Sequence, residues 1–148
     1  MADVARSTMI DHISLAVSDL TRSAAFYDAV LAPLELNRLI TREGFTVGFG
    51  KKYPEFWLNA RAGLSPQPET TGTHICLRAP SEEAVHAFHA AGLAQGGKTA
   101  GDPGPRQAAF TTYIGAFIFD LDGNKIEAVH FPKKFGETPG FAGAPKAS

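Results

Sequence analysis

Two histidines and one glutamate are the residues best suited to bind a metal ion. His12 and His74 each begin a strand-like segment, HISLAV and HICLRA, and Glu127 lies in the middle of a third, GNKIEAVHF. Alternation along the first two segments places each histidine opposite the apolar residues. A carboxylate in an apolar segment is costly to bury unless it is paired, hydrogen-bonded or bound to a metal. Two His and one carboxylate form a coordination set for Zn²⁺, Fe²⁺, Mn²⁺ or Ni²⁺, with positions left open for substrate.

The two histidines occupy equivalent positions of an internal repeat. Residues 12–29, HISLAVSDLTRSAAFYDA, align without a gap with residues 74–91, HICLRAPSEEAVHAFHAA, and six positions are identical. About one identity would be expected by chance, so two copies of one module are the simplest explanation.

Each copy predicts a strand, a helix and then further strands. Asp19 and Ser81 are the predicted N-caps of the two helices. The strands predicted after the first helix are 36–41, 45–50 and 56–60, and those after the second are 110–114, 116–120 and 125–131. A turn at Asp122-Gly123 joins the last two strands. The Gly/Pro-rich run QGGKTAGDPGPR, residues 95–106, is expected to be a loop.

These patterns predict one domain, 1–148, built from β-α-β-β-β modules at 9–60 and 72–131. Residues 61–68 form the predicted linker, and 132–148, rich in Pro and Gly, a C-terminal tail outside the core.

Composition and charge give no indication of binding to nucleic acid or to a membrane. The formal net charge is −1, which favours neither nucleic acid nor an anionic membrane as a partner. Cys76 is the only cysteine, so no internal disulfide can form. Without a signal-peptide or membrane-span pattern, we expect a cytoplasmic protein that acts on a small molecule.

The chain resembles the vicinal oxygen chelate superfamily, also known as the glyoxalase, bleomycin resistance protein and extradiol dioxygenase superfamily. The resemblance covers about residues 9–131 and is carried by DHISLAVSDLTRSAAFYDAVLAPL, PEFWL, GTHICLRAP and FDLDGNKIEAV, in this order. It implies an α+β fold of two paired β-α-β-β-β modules, forming a cupped, partly open eight-stranded sheet around a divalent metal. A homodimer is common in such proteins. Position by position, His12, His74 and Glu127 match the superfamily's metal ligands.

One position departs from the pattern of glyoxalase I, where the last strand of the first module supplies a glutamate as fourth ligand and proton carrier. The matching residue here is Trp57, the repeat partner of Glu127, which can do neither. The resemblance therefore does not support lactoylglutathione lyase activity, unless Glu55 substitutes by a shift of register. The general base is unassigned.

The resemblance leaves the reaction open among isomerisation, addition to an epoxide and ring cleavage. Trp57, Tyr113 and Arg106 are candidate substrate-binding residues, as an apolar wall, a hydrogen-bond donor and an anion-binding fork. His86 and His89 are expected on a helix surface. The leading hypothesis is a metal-dependent lyase or dioxygenase of the glyoxalase type, which uses the ion to stabilise an oxyanionic intermediate. The alternative is a protein that sequesters an aromatic ligand without catalysis.

Overall fold

Both helices begin where the sequence predicted. In the computed structural model, which describes residues 9–69, 71–109 and 111–132, the Asp19 carboxylate accepts a hydrogen bond from the Arg22 N–H at 3.0 Å. The Ser81 hydroxyl accepts one from the Ala84 N–H at 3.1 Å. These caps satisfy backbone donors that have no partner inside the helix.

The first module contains four strands and a helix, followed by a short 3-10 helix at Ala32–Leu34: β1 (Ile13–Val17), α1 (Leu20–Leu31), β2 (Asn37–Arg42), β3 (Thr46–Gly50) and β4 (Phe56–Ala60). The second module repeats this order: β5 (His74–Arg78), α2 (Glu82–Ala94), β6 (Lys98–Gln107), β7 (Thr112–Phe119) and β8 (Lys125–His130). The repeat in the sequence is thus a repeat of structure.

The strands form two four-stranded mixed sheets, in the orders β1-β4-β3-β2 and β5-β8-β7-β6. In each sheet the first strand runs parallel to the last strand of its module, and the remaining pairs are antiparallel. The predicted α+β fold is confirmed, with the eight strands divided between two sheets.

One face of each sheet packs on a helix and contributes to the core. In the first module this face carries the apolar residues expected from alternation, including Val17, Phe56 and Leu58, all at most 2% exposed. The opposite face of each sheet carries the polar candidates. We call it the concave face, after the cupped sheet that the resemblance implies.

The two modules are joined by a polar contact between the β7–β8 turn and the first module. Asp120, in this turn, accepts a hydrogen bond from the Tyr27 hydroxyl at 2.7 Å, and Asp122 accepts from the Ser18 N–H at 3.2 Å. The Asn124 side-chain amide donates to the Ala16 carbonyl at 3.3 Å. The predicted turn at Asp122-Gly123 therefore also fixes the second module against the first.

Two predictions after α2 were wrong. Most of the predicted loop, residues 98–106, forms strand β6 together with Gln107. The strand tolerates Pro because it is an edge strand with irregular register between Thr99 and Gly104. The strands predicted at 110–114 and 116–120 are one strand, β7, because Gly115 continues the pairing opposite Val129. Phe110, the predicted first residue of this segment, lies outside the described residues, as does the tail from 133.

Across the described ranges, no helix is both long and apolar enough to span a membrane.

Candidate metal centre

His74 and Glu127 form the centre of the site. Glu127 is paired in register with Cys76 of the parallel strand β5, and His74 lies two residues before Cys76 on the same face. The His74 Nε2 atom lies 3.2 Å from the Glu127 Oε2 atom. Glu127 is only 4% exposed, so its carboxylate depends on these neighbours for compensation.

Tyr113 engages the other oxygen of the same carboxylate. Its hydroxyl donates to Glu127 Oε1 at 3.2 Å from strand β7. Gly115 makes this approach possible, since a Cβ there would lie 2.9 Å from the Tyr113 ring and 3.3 Å from Glu127 Oε1. Desolvation first, and the Glu127 charge second, raise the pKa of the Tyr113 hydroxyl, which keeps it a proton donor.

Cys76 lies beside Glu127 with a thiol whose pKa is raised. The residue as a whole is exposed, yet desolvation of its thiol and the adjacent Glu127 carboxylate raise the pKa of the thiol to about 12. Without a metal ion, Cys76 is therefore a protonated, neutral neighbour of Glu127 at neutral pH.

Backbone and acidic neighbours orient both histidines in the same way. His74 Nδ1 lies 3.0 Å from the Gly72 carbonyl oxygen, and His12 Nδ1 lies 2.6 Å from Asp11 Oδ1. Each acceptor fixes the proton of a neutral imidazole on Nδ1 and leaves the lone pair on Nε2. The Tyr53 hydroxyl donates to the same Asp11 oxygen at 3.2 Å, which holds this acceptor in place.

His12 does not join His74 and Glu127 within one chain. It is exposed and precedes β1 of the first sheet, whereas the other two lie in the second sheet. Among the residues that the structure describes, no group of three or more His, Cys, Asp or Glu is arranged to hold a metal ion. The chain by itself therefore assembles two of the three predicted ligands.

Trp57 takes, in the first sheet, the position that Glu127 takes in the second. Trp57 pairs in register with Ser14, and Glu127 pairs with Cys76, the repeat partner of Ser14. Phe56 points into the core and contacts the Tyr27 ring at 5.0 Å between centroids, which leaves Trp57 on the concave face. The Trp57 indole N–H donates to the Pro54 carbonyl at 3.1 Å. Trp57 is half-buried, and its ring occupies the position at which the resemblance implied a fourth ligand.

Arg106 lies on strand β6, opposite Tyr113 in register, rather than in a loop. Its Nη2 donates to the Asp102 carbonyl at 2.6 Å, and the guanidinium carbon lies 5.8 Å from the centre of the Phe117 ring. The structure thus places Tyr113 and Arg106 on the same concave face as His74 and Glu127.

Phe117 and Lys125 also lie on this face, although neither was predicted from the sequence to be a binding residue. Phe117 is paired with Glu127 in register, and its ring centre lies 5.4 Å from that of His74. The Lys125 Nζ atom lies 4.8 Å from the centre of the Phe117 ring. Alternation along the last strand already places Lys125 on the face of Glu127, whereas Phe117 belonged to a predicted strand, 116–120, whose pairing with β8 the sequence does not give.

The two histidines of helix α2, His86 and His89, differ in exposure. His86 is exposed as expected, whereas His89 is 7% exposed and contacts strand β6. His89 Nε2 lies 2.8 Å from the Thr99 hydroxyl, which in turn donates to Asp102 Oδ1 at 2.9 Å. Neither histidine belongs to the concave face.

Comparison with known proteins gives a family-model match over residues 9–128, to the Glyoxalase/Bleomycin resistance protein/Dioxygenase superfamily. A crystal structure of a glyoxalase/bleomycin resistance protein from Albidiferax ferrireducens T118 is 33% identical, with a TM-score of 0.74, covering 84% of this chain and 100% of that one.

Two more distant structures share the fold. A fosfomycin resistance protein from Listeria monocytogenes is 20% identical, with a TM-score of 0.60, covering 82% of this chain and 92% of that one. A glyoxalase I mutant from Zea mays is 21% identical, with a TM-score of 0.61, covering 80% of this chain and 45% of that one. A comparison with curated proteins found no significant match.

Proposed function

Because the chain belongs to the glyoxalase/bleomycin resistance protein/dioxygenase superfamily, we propose that it is a small metal-dependent enzyme. His12, His74 and Glu127 are the ligands of its divalent ion, which is Zn, Fe, Mn or Ni. The reaction class is that of a glyoxalase-type lyase or a dioxygenase.

The contact between His74 and Glu127 carries this proposal. With its proton on Nδ1, a neutral His74 presents a lone pair to a carboxylate oxygen at 3.2 Å, so two acceptors face each other. Either a proton or a cation must lie between them. A divalent ion suits this pair because imidazole nitrogen and carboxylate oxygen are both common ligands of these metals.

The third ligand comes from a second copy of the chain. The imidazole of His12 is oriented like that of His74, because Asp11 contacts its Nδ1 atom and Nε2 is the nitrogen that would bind an ion. His12, however, belongs to the first module, whereas His74 lies in the second sheet. Homodimers with two-fold symmetry repeat each contact twice, so a dimer that brings His12 of one chain to His74 and Glu127 of its partner has two complete sites.

The bound ion supplies Lewis acidity to two adjacent oxygens of a substrate and so stabilises negative charge that develops on them. Tyr113 donates to Oε1 of Glu127, so Oε2, which lies beside His74 Nε2, is the oxygen that would bind the ion. Trp57, on the first sheet, provides an apolar wall that keeps water away from the substrate. Its indole cannot carry a proton to or from the substrate. Without a glutamate at this position, lactoylglutathione lyase activity is not expected.

Elemental analysis by plasma mass spectrometry tests the metal site. The purified, chelator-free protein should contain about one equivalent of Zn, Fe, Mn or Ni per chain, since each site has three protein ligands. The variants His12→Ala, His74→Ala and Glu127→Ala should each lose most of it. His86→Ala, which removes an exposed histidine from α2, is the matched control and should keep it. Equal metal content in all five proteins would refute the ligand assignment.

A second candidate function, sequestration of an aromatic ligand, is favoured by Trp57 on the concave face. It predicts that the protein binds aromatic molecules equally well with and without metal. Fluorescence of Trp57, the only tryptophan, reports this directly. Quenching by an aromatic ligand in chelator-treated protein, undiminished by Glu127→Ala, would favour the binding protein over the enzyme.

A further inference from the structure

The concave face of the second sheet carries more positive than negative charge, although the whole chain has a formal net charge of −1. The register of β5 to β8 places three cationic residues on this face: Arg78, Arg106 and Lys125. On the described part of the face the only carboxylate is Glu127, which is buried and already contacted by His74 and Tyr113. The positive charges are therefore not neutralised by the face itself.

Two of these cations lie over the same aromatic ring. Lys125 Nζ is 4.8 Å and the Arg106 guanidinium carbon is 5.8 Å from the centre of Phe117. His74 contacts the same ring at 5.4 Å between centroids. A cation is attracted to the face of an aromatic ring, so Phe117 helps to hold both cations, next to a ring that also contacts the proposed ligand His74.

Arg106 is held in this position before any ligand binds. Its Nη2 donates to the Asp102 carbonyl at 2.6 Å, and its Nη1 lies 3.3 Å from the carbonyls of Gly104 and Pro105. Carbonyl acceptors orient a guanidinium without cancelling its charge. Within residues 9–69, 71–109 and 111–132, neither Arg106 nor Lys125 forms a salt bridge.

We propose that Lys125 and Arg106 form an anion-binding subsite over Phe117, so that the substrate carries a carboxylate or phosphonate group. This inference rests on the proposed function, because the subsite adjoins His74 and Glu127. It narrows the substrate class to small acids in which the oxyanion lies next to the oxygens that face the metal. Neutral dicarbonyls and neutral catechols are thereby disfavoured.

Calorimetric titration with three probes tests the subsite. Benzoate and benzamide have nearly the same shape but differ in charge, and phenylphosphonate separates a preference for phosphonate from one for carboxylate. We expect at least one anion to bind about 10-fold more tightly than benzamide, and its affinity to fall when salt is raised. Equal affinity for benzoate, phenylphosphonate and benzamide, or no binding of either anion, would overturn the proposal.

Variants assign the effect to the two cations. Lys125→Gln and Arg106→Gln should each weaken anion binding about 10-fold and leave benzamide unchanged, whereas Lys125→Arg should keep most of it. Lys52→Gln, at an exposed lysine between β3 and β4, is the matched control and should bind like wild type. Thermal unfolding of each variant shows that it is folded. Undiminished anion binding in both Gln variants would contradict the assignment.

Metal content measured in the same samples separates this inference from the proposed function. Bound metal without a preference for anions would refute the subsite alone. A preference for anions that needs Lys125, in a protein that binds no metal, would support the subsite and refute the metal-dependent enzyme.

Discussion

At the scale of single residues, the site depends on how one buried carboxylate is held. Glu127 has His74 at one oxygen and Tyr113 at the other, so the tyrosine fixes which oxygen faces the ion. Tyr113→Phe removes this hydrogen bond and should weaken metal affinity about 10-fold, as loss of a partner that orients a ligand typically does. Competition titration against a chromogenic chelator measures the affinity.

Gly115→Ala should act in the same direction as Tyr113→Phe by a different route. The added Cβ would lie 2.9 Å from the Tyr113 ring and force it away from Glu127. Unchanged metal affinity in Tyr113→Phe, with unchanged unfolding temperature, would mean that the tyrosine does not orient the ligand.

Alternation along the strands predicted much of the site at this scale. It placed His12 and His74 on the faces away from the helices, because a strand presents every second residue to one side. It did not settle the face of Glu127, because both faces of its segment carry apolar residues. Alternation alone does not determine which of Phe56 and Trp57 faces the core, since the two are adjacent in one strand and both are large aromatic residues. Packing decided this, because Phe56 fits between Tyr27 and Phe49.

At the scale of elements, the β7–β8 turn connects the two modules through Asp120. Its carboxylate accepts hydrogen bonds from the Tyr27 hydroxyl, the Asn124 amide and the backbone N–H groups of Asp122 and Asn124. Asp120→Ala should lower the free energy of unfolding by about 3 kcal/mol, because the buried donors lose their acceptor. Tyr27→Phe, which removes one donor and keeps the ring, should cost about 1 kcal/mol. Urea unfolding measures both, and an equal cost for the two variants would contradict this role.

The contact between α2 and β6 predicts a pH dependence of stability. Burial lowers the pKa of His89 below its usual 6.5, although Asp102 opposes this change and His86 adds to it. As pH falls through 6.5, the unfolded chain takes up this proton before the folded protein does. Stability contributed by His89 is therefore complete above pH 6.5 and decreases below it.

Thermal unfolding at pH 7.5 and pH 5.5 measures the contribution of His89. Acidification should lower the unfolding temperature less in His89→Gln than in wild type. His86→Gln changes an exposed position of the same helix, and it should keep more of this pH-dependent loss of stability than His89→Gln does. The same pH dependence in wild type and His89→Gln would assign it to other groups.

Strand β6 shows why the elements could not all be predicted. Its sequence, KTAGDPGPRQ, has no apolar alternation and contains two prolines, so local signals favour a loop. It becomes a strand because β7 supplies the pairing partner, from Lys98 opposite Phe119 to Gln107 opposite Thr112. Residues paired at such a distance are not encoded in a local pattern. The first module, whose strands alternate clearly, was predicted to within one residue at most ends.

At the scale of the whole molecule, the large apolar residues that are exposed in the described ranges lie mostly in the first module. Of the seven such residues that the structure describes, six lie between residues 9 and 53: Met9, Ile10, Leu39, Ile40, Phe45 and Tyr53. All residues of β2 are exposed, including Leu39 and Ile40. Apolar residues concentrated in one module are typical of an interface, and His12 lies in the same part of the chain.

Mixed dimers distinguish a site shared between chains from one within a chain. Co-expression of His12→Ala and Glu127→Ala chains with different affinity tags allows the mixed dimer to be isolated. If the site is shared, one of the two sites keeps all three ligands, with His12 from the Glu127→Ala chain and His74 and Glu127 from the His12→Ala chain, and the other site carries both changes. About one ion per dimer should then bind. A mixed dimer of His74→Ala and Glu127→Ala should bind no ion, because His74 and Glu127 of a site come from the same chain. One site then lacks His74 and the other lacks Glu127. Equal loss of metal in the two mixed dimers would show instead that each site belongs to a single chain, and a monomer in sedimentation would exclude the shared site altogether.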